Sequence, residues 1–319
     1  MAMQVSQVIL GCDVSQEWLD IGVYGEDEPA HIDNEREAID AYLEHFPAAV
    51  LGVEATNTFH ELLIERALKL GLEVYVIDGY QLSHYREALR KRAKTDPHDA
   101  VLLAEFLARH RDSFRPYQPK SPKLRQLWTF LKRRAALVKF TDQLRQSMKE
   151  LKDHDAQIAS IGREVNKLIK RLERDMRILA KALGWRDDLA RLRSIPGVGE
   201  LTALALLVAY RSGHFTHRDP YVAFIGLDVR VRDSGKHKGK RKLTKMGDPE
   251  YRRLLHCASM AAVRSVFYKA HYEQLQARGL AKTEGLVIVA RKLARLAFAL
   301  LKNQTSFDPN RFKGACYAT

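Results

Sequence analysis

The chain has 319 residues, of which 46% are hydrophobic, and this is enough for two or three domains with cores of their own. No apolar run approaches the roughly 20 residues that span a bilayer and the first residues lack a signal-peptide pattern, so we expect a soluble, cytoplasmic protein without a membrane partner. The formal net charge of +14 indicates an anionic partner, with nucleic acid ahead of a membrane surface.

The first third of the sequence has the pattern of an α/β domain. Apolar or alternating runs predict strands at Val8–Asp13, Trp18–Tyr24, Ala49–Glu54 and Glu73–Ile77, with a weaker strand at Ala30–Ile32. Helical spacing is found at Glu35–His45, His60–Leu70, Tyr80–Arg90 and Pro97–Arg109. Strands that first follow one another and then alternate with helices predict a mixed sheet covered by helices.

Four carboxylates mark the ends of these elements. Asp13 and Glu54 each close a predicted strand, whereas Asp96, read as a helix N-cap, and Asp99 share one face at the start of a helix. Because functional groups gather beyond the carboxyl ends of parallel strands, the four acids can converge around two divalent metal ions. Taken singly, each has a plainer interpretation as a solvated strand end or a helix cap.

The middle of the chain changes character. Leu124–Leu183 contains almost no glycine and predicts two long helices that turn back near His154, either a plain amphipathic stalk or one that also pairs protomers and contacts phosphate. Ser194–Ala203 resembles the hairpin turn of a helix-hairpin-helix module, which can receive a phosphate. Helices are predicted at Phe215–Gly226, Tyr251–Tyr272 and Thr283–Leu301. The three cysteines, Cys12, Cys257 and Cys316, lack the spacing of a zinc site or a disulfide framework.

A glycine-spaced basic loop lies between two of these helices. A loop of this composition can follow a phosphate backbone closely, although a merely solvated basic loop is the alternative. Ser234 is a candidate nucleophile because the surrounding cations could stabilise a pentavalent phosphate. The residues that we expect to contact nucleic acid are Lys94, Arg230, Arg232, Lys236, Lys238, Lys240, Arg241, Lys242 and Lys245.

Several motifs occur together in one order along nearly the whole chain. They are Ile9–Ser15, Gly52–Thr58, Lys94–Asp96 with Asp99–Ala100, Ile195–Gly199, Ala223–Leu227 and Ser234–Gly235. In this the chain resembles the insertion-sequence transposases that join an N-terminal DEDD domain to a C-terminal serine domain, a group that includes the Piv-type DNA invertases and the bridge-RNA-guided recombinases. After Ser234–Gly235 the loop is richer in lysine than in many relatives, so its spacing to Leu243–Lys245 can differ by one residue. Thr244 is therefore the other nearby candidate for the catalytic hydroxyl.

The resemblance implies an architecture and a chemistry. Residues 1–112 would form an RNase H-like, RuvC-type domain, residues 113–185 a helical coiled-coil region, and residues 186–319 a mainly α transposase domain that carries the serine and the basic loop. Asp13, Glu54, Asp96 and Asp99 would bind Mg²⁺, and Ser234 would form a phosphoserine link to DNA in a site completed by the carboxylates of another protomer. A non-coding guide RNA would pair with target and donor DNA, and homodimers would assemble into tetramers at the nucleoid.

The sequence therefore predicts a DNA recombinase that cleaves and rejoins strands through a serine-DNA intermediate. One alternative is a structure-selective nuclease of the Holliday-junction type, in which metal-activated water is the nucleophile. The other alternative, from a different class, is a nucleic-acid-binding protein without catalytic activity, in which the acids are structural.

Overall fold

The computed structural model describes residues 7–54, 59–89, 96–119, 121–230, 233–234, 237–238 and 241–310. The chain divides into two compact units, residues 1–119 and residues 120–319. The division of the chain into three regions stays a prediction. In the described part of the chain, no helix is long and apolar enough to cross a membrane.

The first unit is built on a five-stranded mixed sheet with the order β3-β2-β1-β4-β5. Its strands are β1 (Ile9–Val14), β2 (Trp18–Val23), β3 (Ala30–Asp33), β4 (Val50–Glu54) and β5 (Glu73–Ile77). The first three form an antiparallel meander, whereas β4 is parallel to both β1 and β5. The mixed sheet expected from the strand and helix order is therefore present.

Helices cover both faces of this sheet. They are α1 (Arg36–Leu43), α2 (His60–Lys69), α3 (Gly79–Ala88) and α4 (Asp96–His110), and a short 3-10 turn (Arg111–Ser113) follows α4. Leu10, Cys12 and Val14 of β1 point into a core with α1 and α2, so the alternate residues of β1 face α4. The structure begins α4 at Asp96, which makes this residue the first of the helix and not its predicted N-cap.

Close contact between α4 and the sheet depends on glycine. A Cβ added to Gly11 would lie 2.3 Å from the backbone nitrogen of Ala104, and one added to Gly22 would lie 2.7 Å from that of Val101. Both distances are shorter than any van der Waals contact, so only glycine lets α4 rest on β1 and β2. This contact sets the distance between the first turns of α4 and the sheet.

The second unit is mainly helical. It contains α5 (Pro122–Ser147), α6 (Asp155–Ala182), α7 (Arg186–Arg193), α8 (Glu200–Arg211), α9 (Arg218–Phe224), α10 (Pro249–Ala262), α11 (Lys269–Ala277) and α12 (Lys282–Asn303). Its core is formed by α8 and by the inner faces of α9, α10 and α12, together with the first turns of α5 and the last turns of α6. The ends of the long helices are thus anchored in the globular core.

The two long helices lie side by side and run in opposite directions. Arg134 of α5 donates a hydrogen bond to Glu173 of α6 at 2.6 Å, and Arg145 further along α5 lies beside Gly162, earlier in α6. A 3-10 turn, Lys152–His154, closes the pair where the sequence predicted the reversal. Its use as a stalk stays a prediction.

Two regions of the second unit differ from their predicted structure. The predicted helix from Tyr251 to Tyr272 is broken, because Ser265 turns both its backbone N–H and its hydroxyl to the carbonyl of Ala262 and so competes with the helical pattern. The predicted basic loop contains short strands instead: β6 (Val229–Arg230) pairs with β9 (Lys242–Leu243), and β7 (Asp233–Ser234) pairs with β8 (His237–Lys238). We call the four short strands β6 to β9 together the basic hairpin.

Candidate functional site

Asp13 and Glu54 lie at the carboxyl ends of neighbouring parallel strands. The register pairs Cys12 of β1 with Val53 of β4, so the next residues, Asp13 and Glu54, are neighbours about 4.8 Å apart in backbone position. Each acid lies two residues after a glycine that faces α4, so its side chain points to the same face of the sheet. Both side chains are half-buried. The structure therefore places these two carboxylates together on the α4 side of the sheet.

The start of α3 lies against Glu54. A Cβ added to Gly79 would meet the Oε1 atom of Glu54 at 2.3 Å, so the carboxylate occupies the space over this glycine. Asp78 caps the helix by accepting a hydrogen bond from the backbone N–H of Tyr80 at 2.9 Å. The positive end of the α3 dipole consequently faces a negatively charged side chain, which stabilises that charge.

Asp99 is in a different situation. It is buried in the first turn of α4, and its Oδ1 lies 2.6 Å from the guanidinium of Arg86 on α3. A buried carboxylate needs a partner of opposite charge, and Arg86 supplies it here. Asp99 is thus on the predicted helix face but forms an ion pair in this structure. The backbone of Asp96 opens the same helix, while its side chain lies outside the described part of the structure.

Asp20 is an acidic residue that the sequence reasoning missed. It lies directly opposite Asp13 in the antiparallel pairing of β1 and β2, is buried, and has its Oδ1 2.7 Å from Nδ1 of His31. Carboxylates directly opposite one another repel, so this position requires a nearby positive charge. The signal in the sequence is an acid between the inward residues Leu19 and Ile21 of a predicted strand.

The thiol of Cys12 is buried near the carboxylates of Asp13 and Asp20. Burial raises its pKa well above the ordinary value, and Asp13 and Asp20 raise it further. The thiol is therefore protonated and inert at neutral pH, as expected for a core cysteine.

The carboxylates suit a divalent cation in their chemistry, because Mg²⁺ prefers hard oxygen ligands. Among the side chains that the structure describes, however, no three acidic, histidine or cysteine groups are close enough to hold an ion. Asp13 and Glu54 provide two neighbouring oxygen donors, whereas Asp99 is paired with Arg86 through its Oδ1. The carboxylate oxygens of Asp13 and Glu54 fit a divalent metal in type, and the inclusion of Asp96 and Asp99 in the same site stays a prediction.

The basic hairpin carries Ser234 on β7, directly opposite His237 of β8. The backbone of Ser234 is described, and its side chain is not, which holds also for Lys238. The described cationic side chains of this region are exposed, and they are Arg230, Arg241, Lys242 and Lys245. Lys94, Arg232, Lys236 and Lys240 lie outside the described residues.

Thr244 closes the base of the hairpin. Its hydroxyl donates a hydrogen bond to the carboxylate of Asp228, and its backbone N–H donates to the carbonyl of the same residue at 3.1 Å. The two contacts join the segment before β6 to the segment after β9. The Thr244 hydroxyl is therefore engaged in holding the hairpin together.

The Pro-Gly-Val-Gly turn before α8 has a packing role. Gly197 has a positive φ of 89°, and a Cβ at this position would lie 2.6 Å from the carbonyl oxygen of Ala258 on α10. Glycine is required for this close approach. The phosphate-binding role of the turn stays a prediction.

Comparison with known proteins gives two family matches. Residues 11–154 match the family described as Transposase, DEDD_Tnp_IS110, and residues 189–273 match the family described as Transposase IS116/IS110/IS902 family. The first matched segment contains the four acidic residues, and the second contains Ser234.

Individual relatives agree with these matches. The chain is 26% identical over 272 residues to the pilin gene-inverting protein of Moraxella bovis, covering 80% of this chain and 81% of the relative. It is 34% identical over 140 residues to the transposase for insertion sequence element IS1111A of Coxiella burnetii, covering 42% of this chain and 38% of the relative. A solved structure of T. thermophilus RuvC in complex with a Holliday junction substrate matches with 16% identity and a TM-score of 0.28, covering 35% of this chain and 99% of that one.

Proposed function

Because the chain belongs to the IS116/IS110/IS902 family of transposases, we propose that it cuts and rejoins DNA through a covalent serine-DNA intermediate. Asp13, Glu54, Asp96 and Asp99 are the proposed ligands of Mg²⁺, and Ser234 is the proposed nucleophile. The relatives named as a gene-inverting protein and a transposase support DNA as the substrate.

One observation carries the metal part of this proposal. Asp13 and Glu54 come from distant parts of the sequence, yet the register of β1 and β4 makes them neighbours on the face that α4 covers. A chance pair of solvated acids has no reason to share both a sheet edge and a face. A divalent ion held there would supply positive charge to a scissile phosphate.

The chemistry assigned to Ser234 is a transesterification. Its Oγ forms a bond to phosphorus while the bond from phosphorus to a deoxyribose oxygen breaks, and the serine proton ends on the released sugar hydroxyl. One phosphodiester replaces another, so rejoining needs no external energy source. This conservation of bonds suits inversion and transposition, in which every cut end is joined again.

Guidance by a non-coding RNA and assembly of dimers into tetramers belong to the same proposal. The net charge of +14 and the exposed cations of the basic hairpin support a large nucleic-acid partner. We find no base-reading motif in the sequence, and this fits delegation of target choice to RNA pairing. Sequencing the RNA that copurifies with the protein tests this part directly.

To test for the serine intermediate, the complex of protein and copurified RNA is incubated with end-labelled DNA that contains the element ends. We expect a labelled protein-DNA adduct on denaturing gels with the wild type and the Ser306→Ala control, whose serine is exposed in the same unit. Ser234→Ala should give no adduct, whereas Thr244→Ala should retain it. Cleavage by the wild type without any adduct would favour a nuclease that uses water.

The acidic residues are tested in the same assay. Asp13→Asn and Glu54→Gln should each reduce cleavage by at least about 100-fold, because metal-held carboxylates contribute several kcal/mol to phosphoryl transfer. Asp27→Asn, an exposed acid of the same unit, is the matched control. Normal recombination by Asp13→Asn and Glu54→Gln would show that these two acids are structural.

A further inference from the structure

A pair of arginines on α12 lies near the base of the basic hairpin. Arg291 and Arg295 are four residues apart, so they share one face of the helix. Arg295 reaches Asp219 on α9 at 3.3 Å, and Arg291 is within electrostatic reach of Asp219 and of Asp228, which precedes β6. The pair therefore faces the root of the segment that carries Ser234.

The positive charge of this pair is incompletely satisfied. The Nε atoms of both arginines are buried without a hydrogen-bond partner, and within the described part of the chain Arg291 forms no ion pair. The nearby carboxylates do not supply the missing bonds to the Nε atoms. Asp228 accepts a hydrogen bond from Thr244, and Asp219, which is 59% exposed, contacts both His217 and Arg295. Two half-buried guanidinium groups thus lie side by side with donors to spare.

This arrangement costs free energy in the isolated protein. Burial lowers the pKa of Arg291, and repulsion from Arg295 lowers it further. A buried N–H without an acceptor loses its water and gains nothing in return, so an apolar side chain would be less costly at this place. An anion bound between the two guanidinium groups would remove both penalties.

Phosphate is the anion that matches this geometry. The planar fork of arginine donates two parallel hydrogen bonds to phosphate oxygens, which lysine cannot do. Asp228 and Thr244 lie next to the paired strands β6 and β9, between which the chain carries Ser234 on β7. A phosphate bound here would belong to nucleic acid that lies along the hairpin.

We propose that Arg291 and Arg295 form a binding site for a backbone phosphate of the DNA strand that Ser234 cuts. The inference rests on the proposed function for the identity of the strand, since DNA is the polymer that the serine would attack. The two arginines are binding residues that hold the strand beside the hairpin and take no part in bond exchange.

The test uses the full chain and a fluorescein-labelled 30-base-pair duplex, with affinity measured across a range of salt concentrations. Each lost phosphate contact lowers the slope of log affinity against log salt by about 0.9. We expect Arg291→Gln and Arg295→Gln each to weaken binding about tenfold at physiological salt and to lower the slope by about this amount. Arg278→Gln, an exposed arginine at the end of α11, is the control for loss of one charge and should change neither value.

A second measurement separates binding from folding. Without DNA, Arg291→Gln should melt at the wild-type temperature or above it, because the substitution removes a buried charge. Arg291→Lys should retain the salt slope and lose part of the affinity. An unchanged slope in Arg291→Gln, or a large drop in its melting temperature, would overturn the proposal.

A labelled 30-nucleotide single-stranded RNA forms the other arm of the experiment. If the glutamine variants lose affinity for this RNA and keep their affinity for the duplex, the site binds RNA and our assignment is wrong. The adduct assay reports independently on the proposed function. A wild type that never forms an adduct refutes the serine mechanism, while an altered salt slope would still locate the phosphate site.

Discussion

Replacing Arg86 by methionine tests how the first unit holds its buried acid. The side chains of Arg86 and Asp99 are only 15% and 6% exposed, and their charged groups are 2.6 Å apart. Methionine preserves much of the volume and removes the charge, so the carboxylate of Asp99 loses its ionic partner in a buried position. Removing one member of such a pair costs about 3 to 5 kcal/mol.

Hydrogen exchange followed by mass spectrometry is the suitable assay, because it reports on each unit separately. A loss of about 3 to 5 kcal/mol corresponds to exchange about 10² to 10⁴ times faster in peptides that cover β1 and α4. Peptides from α12 lie in the other unit and provide an internal control in the same sample. They should exchange at the wild-type rate.

The partner substitution completes the experiment. Asp99→Asn in the Arg86→Met background removes the unpaired charge, and the double variant should therefore exchange within about tenfold of the wild type. If Arg86→Met alone changes exchange less than fivefold, water must reach Asp99, and our account of the ion pair as a buried one is refuted. A double variant no better than the single variant would refute it equally.

Three further substitutions test the fold. Gly11→Ala should destabilise the first unit by about 3 kcal/mol in urea unfolding, because the new Cβ meets the α4 backbone at 2.3 Å. Thr244→Val should make the basic hairpin more sensitive to trypsin, because the hydrogen bond to Asp228 is lost. The hydrogen bond from Arg66 lowers the pKa of Asp40, so its stabilisation is present above the unfolded pKa near 3.9 and disappears as pH falls through the lower, folded value. Melting temperatures of wild type and Asp40→Asn should therefore converge below pH 4, and a constant gap would contradict this.

The strand positions and the mixed sheet could be predicted because hydrophobic periodicity in the first unit is strong and regular. Asp20 was missed for a related reason. Polar residues in a strand are usually assigned to the solvent face, and only the pairing with β1 reveals that this one is buried opposite Asp13. The ion pair of Arg86 with Asp99 joins two helices through contacts that no local spacing encodes.

The basic hairpin was beyond prediction for a different reason. Its strands are two residues long, so they offer no periodicity to detect, and glycine and lysine both favour an interpretation as a loop. The register of Ser234 with His237 depends on pairing within the segment, and the closing bond of Thr244 to Asp228 spans it from end to end. Sequence could identify the serine as a candidate without indicating how it is held.

The acids attract attention in the sequence, but glycines set their geometry. Gly11 and Gly22 let α4 approach the sheet closely enough to place Asp99 on the side where Asp13 lies, and Gly79 leaves room for the carboxylate of Glu54 at the start of α3. A methyl group at any of these positions would separate an acid from the others without altering a single charge. The geometry of the candidate metal centre is therefore coupled to backbone packing, and substitutions at these glycines should impair metal binding through position alone.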